Sequence, residues 1–259
     1  MRDYTPGTPV FAQHDARPVP EEQEQLAFLK KVYGLLTLTV IVAASGAFVS
    51  LYAGTSTSQV AITTSSGAAV PIPPLVLFFS EHWIIGIALF LGSFLGLRLV
   101  RHMPVINTAA LLFTGLVSGV YIGPIVFLVQ LRALNGTALT LHPVRDAFLL
   151  AVSAFVGLTL YVTTTKKDFS YMRGFLSAGI WVVLLGLIIG IFVQSSAFSL
   201  AIASAGVLLF CGYILYDTSR LLKRTDKERS QPVEAAIELF LDFLNLFVFL
   251  LRILGGGRK

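Results

Sequence analysis

The sequence predicts an all-α polytopic membrane protein, a bundle of seven transmembrane helices with the last helix at its centre. Hydrophobic residues make up 55% of the 259 residues and charged residues only 13%, against about a quarter charged in soluble proteins. The apolar residues come in runs of about twenty, which match a hydrocarbon thickness of roughly 30 Å at a rise of about 1.5 Å per residue. We therefore expect the lipid bilayer to surround the chain, and no sizeable water-soluble domain.

Polar segments separate the apolar runs and predict the loops. Residues 1–27 are polar and contain four prolines, which predicts a flexible cytoplasmic tail before a single transmembrane helical domain at 28–259. The Ser/Thr/Ala-rich segment 54–80 predicts an external loop. Pro124 lies well inside the third run and predicts a kink or local unwinding there. The predicted spans are residues 31–53, 81–100, 105–131, 146–165, 174–194, 197–217 and 233–254.

The basic residues predict the orientation of the chain. Fourteen of the nineteen Lys and Arg residues fall on the side of the amino terminus, and positive charge marks the cytoplasmic side of a membrane protein. The amino terminus is therefore predicted to be cytoplasmic. Because these residues form short clusters between apolar runs, they fit membrane topology better than a nucleic-acid surface. The five exceptions are Arg132, Arg145, Arg252, Arg258 and Lys259, and the last three return to the cytoplasm if the seventh segment re-enters the membrane instead of crossing it.

The seventh segment carries a stripe of polar residues on one helical face. Glu234, Glu238, Asp242 and Asn245 follow one another at steps of four, four and three, and the residues between them are apolar. A carboxylate facing lipid would cost roughly 2.5–3.5 kcal/mol on insertion scales. The stripe is therefore predicted to face the bundle interior, with Glu238 and Asn245 as candidates to line an ion pathway.

A second aspartate is predicted to meet this stripe. Asp217 lies near the cytoplasmic end of the sixth span, and the sixth and seventh spans run in opposite directions, so Asp217 and Asp242 fall at a similar depth. Arg101, at the cytoplasmic end of the second span, reaches the same zone. Ionisable groups at membrane depth point to an ion or proton site. The structural alternative is that Asp217 pairs with Arg220 or Lys223 and Asp242 bonds a neighbouring backbone.

Four stretches of the sequence also resemble the Bax inhibitor-1 family, the transmembrane Bax-inhibitor-motif proteins, and its bacterial members in particular. The resemblance covers nearly all of residues 28–254. The matching stretches are FLKKVY at 28–33, TTTKKDFS at 163–170, GYILYDT at 212–218 and LFLDFLNLF at 239–247.

The resemblance implies a seven-helix bundle with a central last helix, and a pH-sensitive calcium leak in a bacterial inner membrane. In the family the leak is attributed to two aspartates on the last two helices with an arginine on the second helix nearby. By motif the aspartates are Asp217 and Asp242. The arginine is Arg101 when counted back from Val117-Ser118-Gly119, with Arg98 as the second choice.

Three functions are compatible with these residues. The first is a leak for calcium or other cations, in which protons and transiently bound calcium compete for the oxygens of Asp217 and Asp242. The second is a regulatory protein that binds a partner such as a membrane-bound ATP-dependent protease. The third is an intramembrane aspartyl protease, which the sequence before Asp242 disfavours because it lacks the Gly-x-Gly-Asp motif of that class. We expect no enzyme activity, no cofactor and no fixed metal.

Overall fold

The structure is a computed structural model and describes residues 21–193, 195–224 and 231–256. This part of the chain is almost entirely helical. The strands in these ranges form one short antiparallel hairpin, β1 (Ala61–Thr63) and β2 (Ala69–Pro71). The helices are α1 (Glu21–Tyr52), α2 (Pro74–Glu81), α3 (Trp83–Leu99), α4 (Pro104–Leu134), α5 (Pro143–Thr165), α6 (Arg173–Val193), α7 (Ser196–Leu222) and α8 (Pro232–Gly255).

The described helices confirm an all-α polytopic membrane protein. Five of them, α1, α4, α5, α6 and α7, are long and apolar enough to cross a membrane. The pair α2–α3 is bent by 96° and adds a sixth candidate if the two helices form one broken span. The last helix, α8, carries four charged residues and is not among these candidates. The count of seven spans therefore stays a prediction.

Helix α8 runs from one end of the bundle to the other. At its start Glu234 lies 3.7 Å from Arg101, in the turn before α4. At its end the Gly255 carbonyl accepts a hydrogen bond of 3.1 Å from Arg132, in the last turn of α4. A helix of 24 residues is about 36 Å long. The length and the two end contacts favour crossing over re-entry.

The interior of the bundle is built around α8. Fourteen of its 24 residues are buried, and it packs against α1, α4, α5 and α7. Helix α3 packs on α4 and α6 packs on α7, both farther out. The last helix is central, as predicted, but four helices rather than six supply most of its packing.

Three predictions from the sequence need correction. Residues 21–27, predicted as part of the tail, form the start of α1, because Glu and Gln are good helix formers and Gln25 donates a hydrogen bond of 2.9 Å to the Leu222 carbonyl. Residues 1–20 lie outside the described residues. The predicted loop 54–80 contains the β-hairpin and α2. Helix α4 is continuous from Pro104 to Leu134, so the local unwinding expected at Pro124 does not occur, and the kink stays a prediction.

Helices α1 and α4 pack unusually closely. The glycines at every fourth position of α4, Gly115, Gly119 and Gly123, lie against α1, and Gly46 of α1 lies against α4. A Cβ atom on any of these four would approach the facing helix to less than 3.0 Å. This glycine repeat is therefore a close packing surface between the two helices.

Candidate functional site

The centre of the site is the pair Asp217 and Asp242. Asp217 lies near the end of α7 and Asp242 in the first half of α8, and their carboxyl groups are close enough to interact with each other. Asp242 is only 4% exposed, and its Oδ2 atom accepts no hydrogen bond from the described residues. The antiparallel course of α7 and α8 thus brings the two aspartates together, as the depth argument predicts.

The groups that carry positive charge beside this pair come from the end of α7. Arg224 is buried, at 7% exposure, and its Nη2 atom makes a short ion pair with Glu238 of α8. Arg220 Nη1 lies 3.8 Å from the other carboxylate oxygen of Glu238. Glu238, Arg220 and Arg224 all act electrostatically on Asp217. The site is therefore a cluster of three carboxyl groups and two guanidinium groups.

Arg101 is not part of this cluster. Its Nη1 atom lies 3.7 Å from Glu234 Oε1, and its Nε atom donates to His102 Nε2 at 3.0 Å. Glu234 precedes Asp242 by eight residues, about 12 Å along the helix. The predicted proximity of Arg101 to the aspartates is therefore wrong: Arg101 is on the acidic stripe, but two turns away. Arg98, the second choice, is exposed in the last turn of α3.

The two predicted pathway residues differ in their contacts. Glu238 is an ion-pair partner of Arg220 and Arg224, so its carboxylate is engaged in the cluster rather than free. Asn245 is half-buried, and its Nδ2 atom donates to the Leu241 carbonyl at 2.8 Å. The amide group of Asn245 thus bonds to its own helix.

The sequence did not predict several groups that lie near the aspartate pair. The Tyr33 hydroxyl of α1 lies beside the hydroxyls of Thr159 in α5 and Thr218 in α7, and all three oxygens are shielded from solvent. Tyr213, one turn before Asp217, is close enough for both aspartates to act on it. Arg224 lies two residues past the end of α7, so helical periodicity did not point to it.

The loop between α5 and α6 braces the end of α7. Asp168 makes a short ion pair with Lys223 and accepts a hydrogen bond of 2.9 Å from the Ser170 backbone nitrogen. The Lys223 ammonium, together with Ser170, holds the pKa of Asp168 well below its usual range. Asp168 therefore ties this loop to the helix that carries Asp217.

No permanent metal site is visible in the described ranges, since they contain no group of three or more His, Cys, Asp and Glu side chains that could hold a metal ion. The aspartate pair supplies carboxylate oxygens from only two residues. Such a donor set is poor for a structural ion, because calcium takes six to eight oxygen ligands. It is compatible with brief contact by a partly hydrated cation.

The residues of this site all lie in the part of the chain that matches a known protein family. The family described as Inhibitor of apoptosis-promoting Bax1 matches residues 25–259. The Golgi anti-apoptotic protein of vaccinia virus (strain Lister) is 32% identical over 235 residues, 91% of this chain and 87% of the viral protein. A membrane protein of Vibrio cholerae is 33% identical over 254 residues, 96% of each chain. Protein lifeguard 4 of Mus musculus is 32% identical over 238 residues, 91% of this chain and 87% of its own.

Proposed function

The chain belongs to the Bax inhibitor family, and we propose that it is a pH-sensitive leak for cations, calcium above all, across a bacterial inner membrane. The observation that carries this proposal is the proximity of the carboxyl group of half-buried Asp217 to that of Asp242, which is only 4% exposed. Structural roles rarely need two acids in contact, because two charges of the same sign repel strongly where water cannot screen them.

The chemistry of such a pair links protons to cations. Two adjacent carboxylates cannot both stay ionised at low cost, so one proton is shared between them and the pair titrates as a unit. Loss of that proton leaves two negative groups in contact. A cation is then favoured at the same oxygens, since carboxylates are the ligands that calcium prefers. Competition between proton and cation makes the leak pH-sensitive.

The orientation follows from the positive charges at this end of the bundle. Arg220, Lys223 and Arg224 lie at the end of α7, and Arg101 lies at the same end beside Glu234. Positive residues favour the cytoplasmic side, so we place the aspartate pair and the amino terminus near the cytoplasm. Proteolysis of the tail in sealed right-side-out and inverted vesicles tests this orientation.

Calcium flux through the purified chain in liposomes, measured across a range of pH, tests the function. We expect Asp217→Asn and Asp242→Asn each to flatten the pH response, because either change removes the shared proton. The double variant should add little, since the two groups act as a unit. Asp168→Asn is the matched control, an acid at the same end but outside the pair. A full pH response in both single variants would contradict the proposed sensor.

A regulatory role without conduction is the second candidate. The vaccinia relative is named for an anti-apoptotic action rather than for transport, which favours a protein that acts through a partner. A membrane-bound ATP-dependent protease is the partner class we propose. Its co-purification with the chain, together with no calcium flux at any pH, would favour this role. Cleavage of a membrane peptide, lost in Asp217→Asn, would instead reveal an aspartyl protease.

A further inference from the structure

A large apolar cavity lies on the opposite side of α8 from the aspartate pair. Its volume is about 1030 Å³, and its walls come from α1, α4, α5 and α8. On α8 the lining residues Phe240, Phe243 and Phe247 occupy one helical face, whereas Glu238 and Asp242 occupy the other. The cavity is therefore separate from the acidic cluster, and an ion entering it would meet aromatic rings rather than carboxylates.

The cavity is polar at one end only. Its deep walls consist of apolar residues such as Val40, Ala43 and Ala47 of α1. The polar lining residues are Tyr52, Gln130, His142 and Arg145, and they share one end of the bundle, where α1 and α4 finish and α5 begins. From Val40 to Tyr52 the cavity extends about 18 Å along α1. This length resembles one leaflet, half of the roughly 30 Å hydrocarbon thickness.

The cavity opens at the surface of the bundle. Its lining residues Phe48, Leu134 and Leu141 are 63%, 61% and 83% exposed. Helices α1 and α5 both pack on α8, whereas no comparable packing joins α1 to α5 among the described residues. In a membrane, the neighbour of such an opening is lipid. An apolar cavity of this kind excludes water and takes up apolar ligands.

The polar end presents donors for a phosphate group. Arg145 Nε donates to Asp146 Oδ1 at 3.1 Å, and its Nη2 atom lies 3.0 Å from the same oxygen. A guanidinium has five N–H donors, so this pair leaves the Nη1 group available, on a side chain that is 65% exposed. His142 lies beside it at the cavity entrance. Because Asp146 balances its charge, Arg145 suits a zwitterionic headgroup as well as an anionic one.

We infer that this cavity is a binding site for one membrane phospholipid, with an acyl chain along the Phe240–Phe247 face of α8 and the phosphate at Arg145. The apolar length fits a tail and the polar end fits a headgroup, so the amphipathic shape of the cavity matches an amphipathic ligand. The site is independent of the proposed leak, since it uses none of the residues of the acidic cluster.

Lipid titration of the delipidated full-length chain, followed by native mass spectrometry, tests this inference. The probe is palmitoyl-oleoyl phosphatidylethanolamine, compared with the diacylglycerol of the same tails, which lacks the phosphate. The wild-type chain should bind one phospholipid, and the diacylglycerol about tenfold more weakly, because a charge-assisted contact is missing. Arg145→Gln should remove this preference without preventing diacylglycerol binding.

A cavity-filling variant supplies the second arm. Ala44 lines the cavity and is exposed, so Ala44→Trp should fill the space of the tail and weaken binding at least about tenfold. Ile41→Trp, on the same helix but outside the lining, is the matched control and should bind like the wild type. Phospholipid binding that survives Ala44→Trp, or equal binding of phospholipid and diacylglycerol by the wild-type chain, would overturn the inference.

Discussion

Gly119→Ala should be among the most destabilising single-methyl changes in this protein. A Cβ atom at Gly119 would lie 1.9 Å from the Ala43 carbonyl oxygen, 2.7 Å from its carbonyl carbon and 2.9 Å from the Ala47 nitrogen. All three atoms belong to the backbone of α1, so no side chain can rotate away. An ordinary contact begins near 3.4 Å, and α1 and α4 would have to separate locally by about 1.5 Å.

The cost follows from that displacement. Overpacking costs about 1–3 kcal/mol when side chains can adjust, and a gap of about 0.5–1 Å already forfeits a quarter to a half of each van der Waals contact. We therefore expect Gly119→Ala to lower the free energy of unfolding by about 3 kcal/mol. For a chain of this size the unfolding midpoint should fall by about 6–12 °C, measured by thermal unfolding of the purified protein in detergent.

Two comparisons make the test specific. Gly157→Ala is the matched control, because nothing lies within 4 Å of a Cβ at that helical position, and it should be neutral or stabilising by up to about 1 kcal/mol. At Gly123 the obstacle is the Ser50 side chain, with Oγ at 2.1 Å, so Ser50→Gly should rescue Gly123→Ala. An unchanged midpoint for Gly119→Ala would refute the close approach of α1 and α4.

Two further predictions concern the charged end of α7. The pKa of Asp168 is lowered in the folded protein by Lys223, so its contribution to stability is present above about pH 4, the value of a free aspartate, and is lost as the pH falls further. Thermal unfolding from pH 7 downward should show the difference between wild type and Asp168→Asn narrowing below about pH 4, and a constant difference would contradict this. In the calcium-flux assay, Arg224→Gln should move the midpoint of the pH response to higher pH and Glu238→Gln should move it to lower pH. Shifts in the same direction would contradict the electrostatic contact of both residues with Asp217.

The acidic face of α8 was predictable from the sequence, because polar residues spaced three or four apart lie on the same face of a helix. Glu234, Glu238 and Asp242 all meet charged partners at the bundle interior or its end. The meeting of Asp217 and Asp242 was likewise predictable, since depth is fixed by the number of residues from the end of each span. Depth gives the level of a residue in the membrane but not its direction around the bundle.

That missing direction explains the error at Arg101. The residue was assigned to the cytoplasmic layer, which holds two cation positions about 6 Å apart along α8, one at Glu234 and one at Glu238. Arg101 occupies the first. Arg224, which occupies the second, lies two residues past the end of α7, and α7 itself continues to Leu222 although the apolar run ends at Tyr216. Polar residues extend a helix past the membrane without leaving any hydropathy signal.

The lipid cavity was beyond sequence reasoning for a different reason. Its walls combine short stretches of four helices that are far apart in the chain, and each stretch by itself reads as ordinary apolar surface. A cavity remains where helices do not pack against each other. Helices α1 and α5 both pack on α8 but not on each other among the described residues. The cavity depends on how segments distant in the sequence pack together, and the periodicity of a single segment does not indicate such packing.

The charge balance of the cluster explains why Arg224 and Glu238 should move the pH response in opposite directions. Glu238, Asp217 and Asp242 supply three negative charges when ionised, whereas Arg220 and Arg224 supply two positive charges that are never lost. One proton on the aspartate pair makes the cluster neutral. Its loss leaves one net negative charge beside a residue that is 4% exposed, and burial of unbalanced charge is costly. Arg224→Gln raises this cost, so the pair should keep its proton to higher pH, and Glu238→Gln lowers it. The same net negative charge attracts a passing cation, because the cation replaces the positive charge that left with the proton.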